Sequence, residues 1–140
     1  MKILAAVDGS VFTKRMLAYL AAHDEWLGAH HEYTLLHCVP AIPPRAASVV
    51  AKSDLKAYYD DESEKIFKPM RTFFARQGLK ATFLAKVGPA AEMIAATADK
   101  GDFNLLIMGS HGQSSLANLV IGSVATKVLA LTKVPVLLIR

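Results

Sequence analysis

Three glycines at set spacing follow an apolar run in the last third of the chain and suggest an anion site. Gly109 ends the run, Gly112 comes three residues later, and Gly122, followed by Ser123, comes ten residues after that. Glycine permits backbone angles and close approaches that a Cβ would block. Successive backbone N–H groups in such a turn can form a concave anion nest. The spacing therefore indicates backbone donors gathered around a phosphate or a similar group.

A helix that begins at Gly122-Ser123 would add to this site. Its first turn offers unpaired N–H groups and the positive end of the helix dipole. The start "GSVAT" has no Glu or Gln to complete a capping box and no acid that would repel a phosphate. The alternative is a tight turn, a flexible loop and Ser123 as an ordinary N-cap. Neither G-x-x-x-x-G-K-[ST] nor G-x-G-x-x-G occurs, so the commonest phosphate loops do not account for the pattern.

Three other side chains could do chemistry, and two of them lie at the ends of apolar runs. Asp8, in "VDGS", is an acid at a turn and could bond to the local backbone there. Cys38 ends its run, where a buried inert thiol is more common than a nucleophile. His111 could act as a base or pair with phosphate, but no acid stands near it in the sequence, so we interpret it as a binding or surface group. No catalytic residue is predicted.

Five short apolar runs, often β-branched, end at turn residues and predict buried strands. They cover residues 3–7, 33–38, 81–87, 105–108 and 136–139. Helical patterns separate them, at residues 12–27 and 52–76, from Pro89 to about Gly101, and from about Gly122 to before Pro135. Gly78 is expected to stop the second helix and Pro69 to kink it.

This alternation predicts the fold class. It indicates one α/β domain over residues 1–140, with a parallel sheet and helices on both faces. In such sheets ligands lie outside the carboxyl ends of the strands, where the strand order reverses. The loops after the first, second and fourth strands would then line one crevice, provided that the first and fourth strands are neighbours.

The composition limits the classes of protein. The 140 residues are 53% hydrophobic and 20% charged, which is typical of a globular domain. No apolar stretch approaches the ~20 residues of a membrane span, and the early acid Asp8 argues against a signal peptide. One cysteine fits a reducing compartment. The basic residues alternate with acids at a net charge of +4, which argues against nucleic-acid binding. We expect a cytoplasmic protein without membrane or nucleic-acid partners.

The spacing Gly109-x2-Gly112-x9-Gly122-Ser123 resembles the ATP-binding signature of the universal stress protein family. The resemblance covers the whole chain: "MKILAAVDGS" is similar to that family's first strand and acidic turn, "LLHCVP" to its second strand, "LLIMGSHG" to its fourth, and "GSVATKVLALTKVPVLLIR" to its closing helix and strand. It implies a Rossmann-like, five-stranded parallel sheet of order 3-2-1-4-5, a homodimer, and a bound adenine nucleotide. ATP with Mg²⁺ is expected, with ADP or AMP as alternatives.

The same resemblance implies roles for individual residues. Asp8, with Val7 and Gly9, would lie beside the nucleotide and could touch Mg²⁺, while Cys38 and Val39 would flank adenine. The remaining expected contacts, around the phosphates and ribose and at the end of the fourth strand, are Met108, Gly109, His111, Gly112, Gly122, Ser123 and Val124. Three positions depart from the family pattern: Gln113 stands where a basic residue is frequent, Ser115 where glycine is frequent, and Asn104 where aspartate is common.

Three functions remain open from the sequence. The first is an ATP-loaded homodimeric binding or regulatory module in a stress response, whose partner is unknown. It would pair through the final strand, from Val136 to Arg140, because a long apolar sheet edge is hazardous unless it is paired. The second is a slow ATPase or phosphotransferase, for which no convincing set of phosphoryl-transfer residues is visible. The third is a nucleotide-free interaction module, from a branch of the family that lacks the glycine signature.

Overall fold

The computed structural model describes residues 1–23, 25–113 and 120–140 and contains a five-stranded parallel sheet. The strands are β1 (Lys2–Ala6), β2 (Glu32–Val39), β3 (Ala81–Val87), β4 (Leu105–Gly109) and β5 (Val136–Ile139). Their order is β3-β2-β1-β4-β5, and every neighbouring pair is parallel. The predicted sheet order and fold class are therefore confirmed.

The helices alternate with the strands, as predicted, with differences at their ends. They are α1 (Val11–Ala21), α2 (Pro44–Ala47), α3 (Lys52–Arg76), α4 (Ala90–Lys100) and α5 (Ser123–Leu131). The prediction that the first helix reaches residue 27 was wrong. The helix ends at Ala21. Leu27, which has helical spacing, still packs against the core from beyond that end, together with Trp26. The short α2 was not predicted.

The second long helix ends where its sequence indicated. Gly78 adopts a φ of +67° directly after α3, a backbone conformation that favours glycine and that stops a helix. Pro69 lies inside α3, which continues past it to Arg76.

Alternate residues of the strands serve two separate cores, because successive side chains of a strand point to opposite faces. On one face Ile3 and Ala5 pack against α1 and α3 through side chains such as Met16 and Phe67. On the other face Leu4 and its neighbours pack against α4 and α5. Both faces of the sheet are covered by helices, which explains why the strands read as nearly continuous apolar runs.

The register aligns the carboxyl ends of the three central strands. Ala6, the last residue of β1, lies opposite Leu36 of β2 and Met108 of β4. The loops that follow β1 and β4 therefore leave the sheet at the same level. None of the helices within the described ranges combines the length and the apolar character of a membrane span.

Candidate functional site

A cavity of about 550 Å³ opens at the carboxyl edge of the sheet, between β1 and β4. The strand order reverses there, because the chain runs outward from β1 to β3 and then crosses back to β4. Parallel α/β sheets bind ligands at such points, and the volume lies within the ~300–1,000 Å³ typical of small-molecule sites. The crevice predicted from the strand pattern is thus present, but the prediction that the loop after β2 lines it was wrong, because the contribution of that strand ends at Cys38.

Ten of the twelve residues predicted for the site line this cavity. They are Val7, Asp8, Cys38, Met108, Gly109, His111, Gly112, Gly122, Ser123 and Val124. Gly9 and Val39 lie next to the site without lining it. Gly9 faces Ile66 of α3, while the side chain of Val39 is buried and its carbonyl accepts from the N–H of Gly88.

Several lining residues were not predicted as site residues. They are Ala6, Thr13, Leu36, His37, Ala90, Ile94, Gln113 and Ala125. A signal for two of them was available: "GPA" starts α4 directly after β3, so the first turns of α4 must reach the same edge of the sheet. Ala90 and Ile94 come from those turns. Gln113 stood out only as a departure from the family pattern.

The cavity has an apolar end and a polar end. Side chains that belong to the α4–α5 core, or pack against it, form the apolar end: Leu36, Cys38, Ala90, Ile94 and Met108. The polar end is formed by the loops after β1 and β4 together with the start of α5: Asp8, Thr13, His111, Gly112, Gln113, Gly122 and Ser123. Such a division suits a ligand with one flat apolar part and one polar part.

Asp8 is held by a closed set of hydrogen bonds at the start of α1. Its Oδ1 accepts from the Ser10 N–H and from the Thr13 hydroxyl, both at 2.9 Å, and its own N–H donates to Thr13 Oγ1 at 3.1 Å. Ser10 caps α1 by accepting from the N–H of Thr13. The local turn contact that the sequence left open is therefore present. It occupies Oδ1, while Oδ2 faces Gly112.

The glycines of the signature lie where side chains would collide with their surroundings. A Cβ on Gly109 would lie 2.6 Å from the Cβ of Phe12, and one on Gly112 would lie 2.8 Å from Asp8 Oδ2. A Cβ on Gly122 would lie 3.1 Å from the Cα of His111. These close approaches draw the β1 loop, the β4 loop and the start of α5 together around the polar end.

Helix α5 begins at the cavity without a side-chain cap. Gly122 is the N-cap residue, its N–H donates to Ser110 O at 2.7 Å, and Ser123 is already the first helical residue. The alternative in which Ser123 is the N-cap was therefore wrong. The N–H groups of the first turn, from Ser123 to Ala125, have no partner within the helix, and these residues line the cavity.

Two histidines line the cavity with their rings oriented by neighbours. The Nδ1 of His111 lies 3.0 Å from Ser110 Oγ, and its ring packs at 4.9 Å on the ring of Phe12. The Nδ1 of His37 lies 2.8 Å from the carbonyl oxygen of Val7, to which it donates. This contact ties the end of β2 to the turn that holds Asp8.

Cys38 lies at the apolar end as a half-buried free thiol. Burial raises the pKa of the Cys38 thiol to about 11, although the nearby Lys86 acts in the opposite direction. The thiol is therefore protonated at neutral pH, as expected for an inert side chain. In the described part of the chain, no group of three or more His, Cys, Asp or Glu residues could hold a metal ion.

This is a doubly wound parallel α/β domain with a two-ended cavity at its switch point, and its relatives agree with that description. The chain belongs to the universal stress protein family, whose model matches residues 1–140. Universal stress protein YxiE of Bacillus subtilis is 28% identical over 99% of this chain and 98% of its own length. Universal stress protein Slr1230 of Synechocystis is 30% identical over 99% of this chain, which spans 42% of that relative.

Solved structures have the same fold. Hypothetical protein MJ0577, which is from Methanocaldococcus jannaschii, superposes with a TM-score of 0.78 at 25% identity, covering 99% of this chain and 94% of its own. More distant family members were solved with ligands. A protein from Arabidopsis thaliana with AMP bound has a TM-score of 0.70 at 14% identity, covering 99% of this chain and 90% of its own. A universal stress protein from Archaeoglobus fulgidus in complex with dAMP has a TM-score of 0.68 at 20% identity, covering 100% of this chain and 98% of its own.

Proposed function

We propose that this protein binds an adenine nucleotide in the cavity at the carboxyl edge and acts as a homodimeric regulatory module in a stress response. The observation that carries the proposal is the shape of the site: an apolar slot opens into a glycine-lined pocket at the start of α5. An adenine ring suits the first part, and a phosphate suits the second. Family members bound to AMP and dAMP support the ligand class.

The residues present fit such a ligand. The side chains of Leu36, Ile94 and Met108 offer apolar contact for a base. The backbone N–H groups at the start of α5 can donate to phosphate oxygens, and the glycines at 112 and 122 allow the close approaches that bring the loops together around them. The sequence-based expectation of ATP with Mg²⁺ belongs to this proposal. Asp8 could supply one oxygen ligand, since Mg²⁺ commonly binds one or two carboxylates together with phosphates.

The first test is to purify the protein without added nucleotide, denature it and separate the supernatant by anion exchange. We expect a near-stoichiometric adenine nucleotide. ADP alone would favour slow hydrolysis. An empty supernatant, followed by no rise in melting temperature with millimolar nucleotide, would favour a nucleotide-free interaction module and contradict the proposal.

A paired substitution tests the position of the ligand. We expect Gly122→Val to abolish nucleotide retention, because a side chain there enters the polar end beside His111. Ala130→Val adds the same side chain at an exposed position of α5 away from the cavity and should retain the nucleotide. Circular dichroism checks that both variants fold. Equal retention by the two variants would remove Gly122 from the site.

The dimer is proposed through β5, which lies at the edge of the sheet. The carbonyl of Pro135 accepts from the N–H of Leu106 in β4 at 2.9 Å, and the carbonyl of Ile139 accepts from the N–H of Ser110, just after β4, at 2.8 Å. Because strand backbone groups alternate in direction, those of Val136 and Leu138 face the open edge. An apolar edge of this kind is stabilised when it pairs with a second copy.

The edge has a direct test by light scattering after size exclusion. Leu138→Pro removes an outward N–H and is expected to give a monomer, since proline is tolerated at an edge but cannot donate to a partner strand. Leu138→Ala loses a similar amount of side chain, keeps the N–H and should remain a dimer. A dimeric Leu138→Pro variant would contradict pairing through this strand.

A further inference from the structure

The polar end of the cavity contains a fixed negative charge and lacks a fixed positive one. Asp8 is the one acid that lines the cavity within residues 1–23, 25–113 and 120–140, and neither lysine nor arginine lines it there. Residues 114–119 add no charged side chain, because their sequence is "SSLANL". A nucleotide at this site would therefore place its phosphates beside a carboxylate.

Two basic residues on the neighbouring elements have partners outside the cavity, and a third, Lys86, lies near Cys38 at the apolar end. The guanidinium of Arg15 lies 5.3 Å over the ring of Phe12, and Lys127 Nζ lies 3.8 Å from Glu92 Oε1 with both side chains exposed. Exposed charges outside the cavity are screened by salt over about 8–10 Å. They cannot replace a cation in direct contact with a phosphate.

Within the described residues, no lysine or arginine donates at the polar end. Its donors include the N–H groups at the start of α5 and the Ser123 hydroxyl, together with a side-chain amide that is already engaged, since Gln113 Nε2 donates to the carbonyl of Asp8 at 2.7 Å. The helix start is equivalent to roughly half a positive charge. This is enough to favour one phosphate, but each further phosphate adds negative charge near Asp8 without a compensating cation.

We propose that this site selects adenine nucleotides by charge: it binds a monophosphate without a metal ion and accepts a triphosphate only when Mg²⁺ neutralises it. The carboxylate of Asp8 disfavours the additional phosphates of ATP. Gln113 carries no positive charge that would offset this repulsion. The inference depends on the proposed nucleotide function and specifies which nucleotides satisfy that site.

Calorimetric titration of the nucleotide-stripped protein tests the selection. At about pH 8, where histidine is ordinarily uncharged, adenosine, AMP and ATP are titrated in EDTA and again in excess Mg²⁺. In EDTA we expect AMP to bind at least about tenfold more tightly than ATP, and Mg²⁺ to remove most of that difference. If ATP bound as tightly as AMP in EDTA, the proposed charge selection would be overturned, while the proposed nucleotide binding would stand. Absence of binding by all three ligands would contradict the proposed function itself.

Two charge substitutions with matched controls assign the effect to residues. Asp8→Asn keeps an Oδ1 acceptor for Ser10 and Thr13 and should narrow the AMP-to-ATP ratio in EDTA severalfold. Asp102→Asn removes the same charge at the opposite edge of the sheet, where asparagine tolerates the φ of 52°, and should leave the ratio unchanged.

Gln113→Arg adds a cation at the polar end and should also narrow the ratio, by strengthening ATP binding more than AMP binding. Gln77→Arg adds the same charge at the exposed end of α3, away from the cavity, and serves as its control. Gln113→Arg keeps the inference testable if Asp8→Asn folds poorly. Ratios that stay at the wild-type value in both site variants would overturn the role of charge.

Discussion

The two edges of the sheet differ in how their backbone groups are satisfied. At the amino edge, groups of the same chain satisfy one another. The N–H of Lys2 donates to Asn104 Oδ1 at 2.7 Å, and the N–H of Asn104 donates to Lys2 O at 2.8 Å. In addition, Lys2 Nζ donates to Gly101 O at 2.7 Å. At the carboxyl edge α5 begins on an uncapped glycine, and a cavity of about 550 Å³ lies against it.

This difference separates stability from binding. Side chains at the amino edge occupy backbone groups of their own chain, so their removal should lower stability without affecting a ligand. Residues at the carboxyl edge leave donors directed at a cavity, so changes there should alter binding and reactivity first. The following predictions test this separation, from the largest expected effect to the smallest.

Removal of the Tyr33 hydroxyl should cost the most. Tyr33 is 4% exposed, and its hydroxyl accepts from the N–H of Gly28 at 2.7 Å while lying 2.9 Å from Gly28 O and 3.0 Å from Trp26 O. Tyr33→Phe leaves these groups without their partner and should lower the free energy of unfolding by about 1–3 kcal/mol. Urea unfolding measures the change, with Tyr58→Phe, at an exposed tyrosine, as the control. Equal losses in the two variants would contradict this role.

The Cys38 thiol should be slow to react although it lines a cavity. Burial raises the pKa of this thiol to about 11. In the unfolded chain the thiol has its usual pKa, so folding should reduce the rate of alkylation at pH 8 at least about tenfold. Mass spectrometry after timed exposure to iodoacetamide measures this rate. A bound adenine nucleotide should slow it further, whereas alkylation as fast as in urea would refute the buried environment.

Asn104 should contribute about 1 kcal/mol to stability and nothing to ligand binding. Asn104→Ala removes the acceptor of the Lys2 N–H and should lower the free energy of unfolding by roughly that amount. Asn104→Asp retains the acceptor and should restore most of it. Nucleotide affinity should be the same in all three proteins, and a loss of affinity in Asn104→Ala would break the separation of the edges.

Asp99 should give the smallest effect, and one that depends on pH. Its Oδ1 accepts from the Thr132 hydroxyl at 2.7 Å and from the Lys133 N–H at 3.0 Å, and these bonds lower the pKa of Asp99 below its usual value of 3.8. A lowered pKa in the folded state means that the carboxylate stabilises the fold above the ordinary pKa and loses this contribution as pH falls through the folded value.

The comparison for this residue is Asp99→Asn, which keeps an acceptor and lacks the charge. In thermal unfolding between about pH 3 and pH 7, the wild type should be slightly the more stable at neutral pH. This difference in stability between wild type and Asp99→Asn should shrink as the pH falls below the usual pKa of a carboxylate. An advantage that grew on acidification would have the wrong sign for a lowered pKa.

Much of the fold could be predicted from local sequence patterns. The five apolar runs coincide with the strands to within a residue or two, and Gly78 stopped α3 where expected, because strand length and left-handed turns depend on nearby residues. The end of α1 could not be predicted from such patterns. Leu27 has helical spacing, but it reaches the core from beyond the end of α1, a difference that only packing determines.

The candidate site divides in the same way. The sequence by itself determined the glycine spacing, the lack of a capping-box Glu or Gln at the start of α5 and the absence of lysine or arginine in residues 113–126, since these are properties of residue type and order. The tertiary structure alone decided that Thr13, His37 and Ala125 join the cavity and that Val39 does not. Those residues come from separate elements. Which of their side chains face one another depends on strand order, register and the packing of α4 and α5 against the sheet.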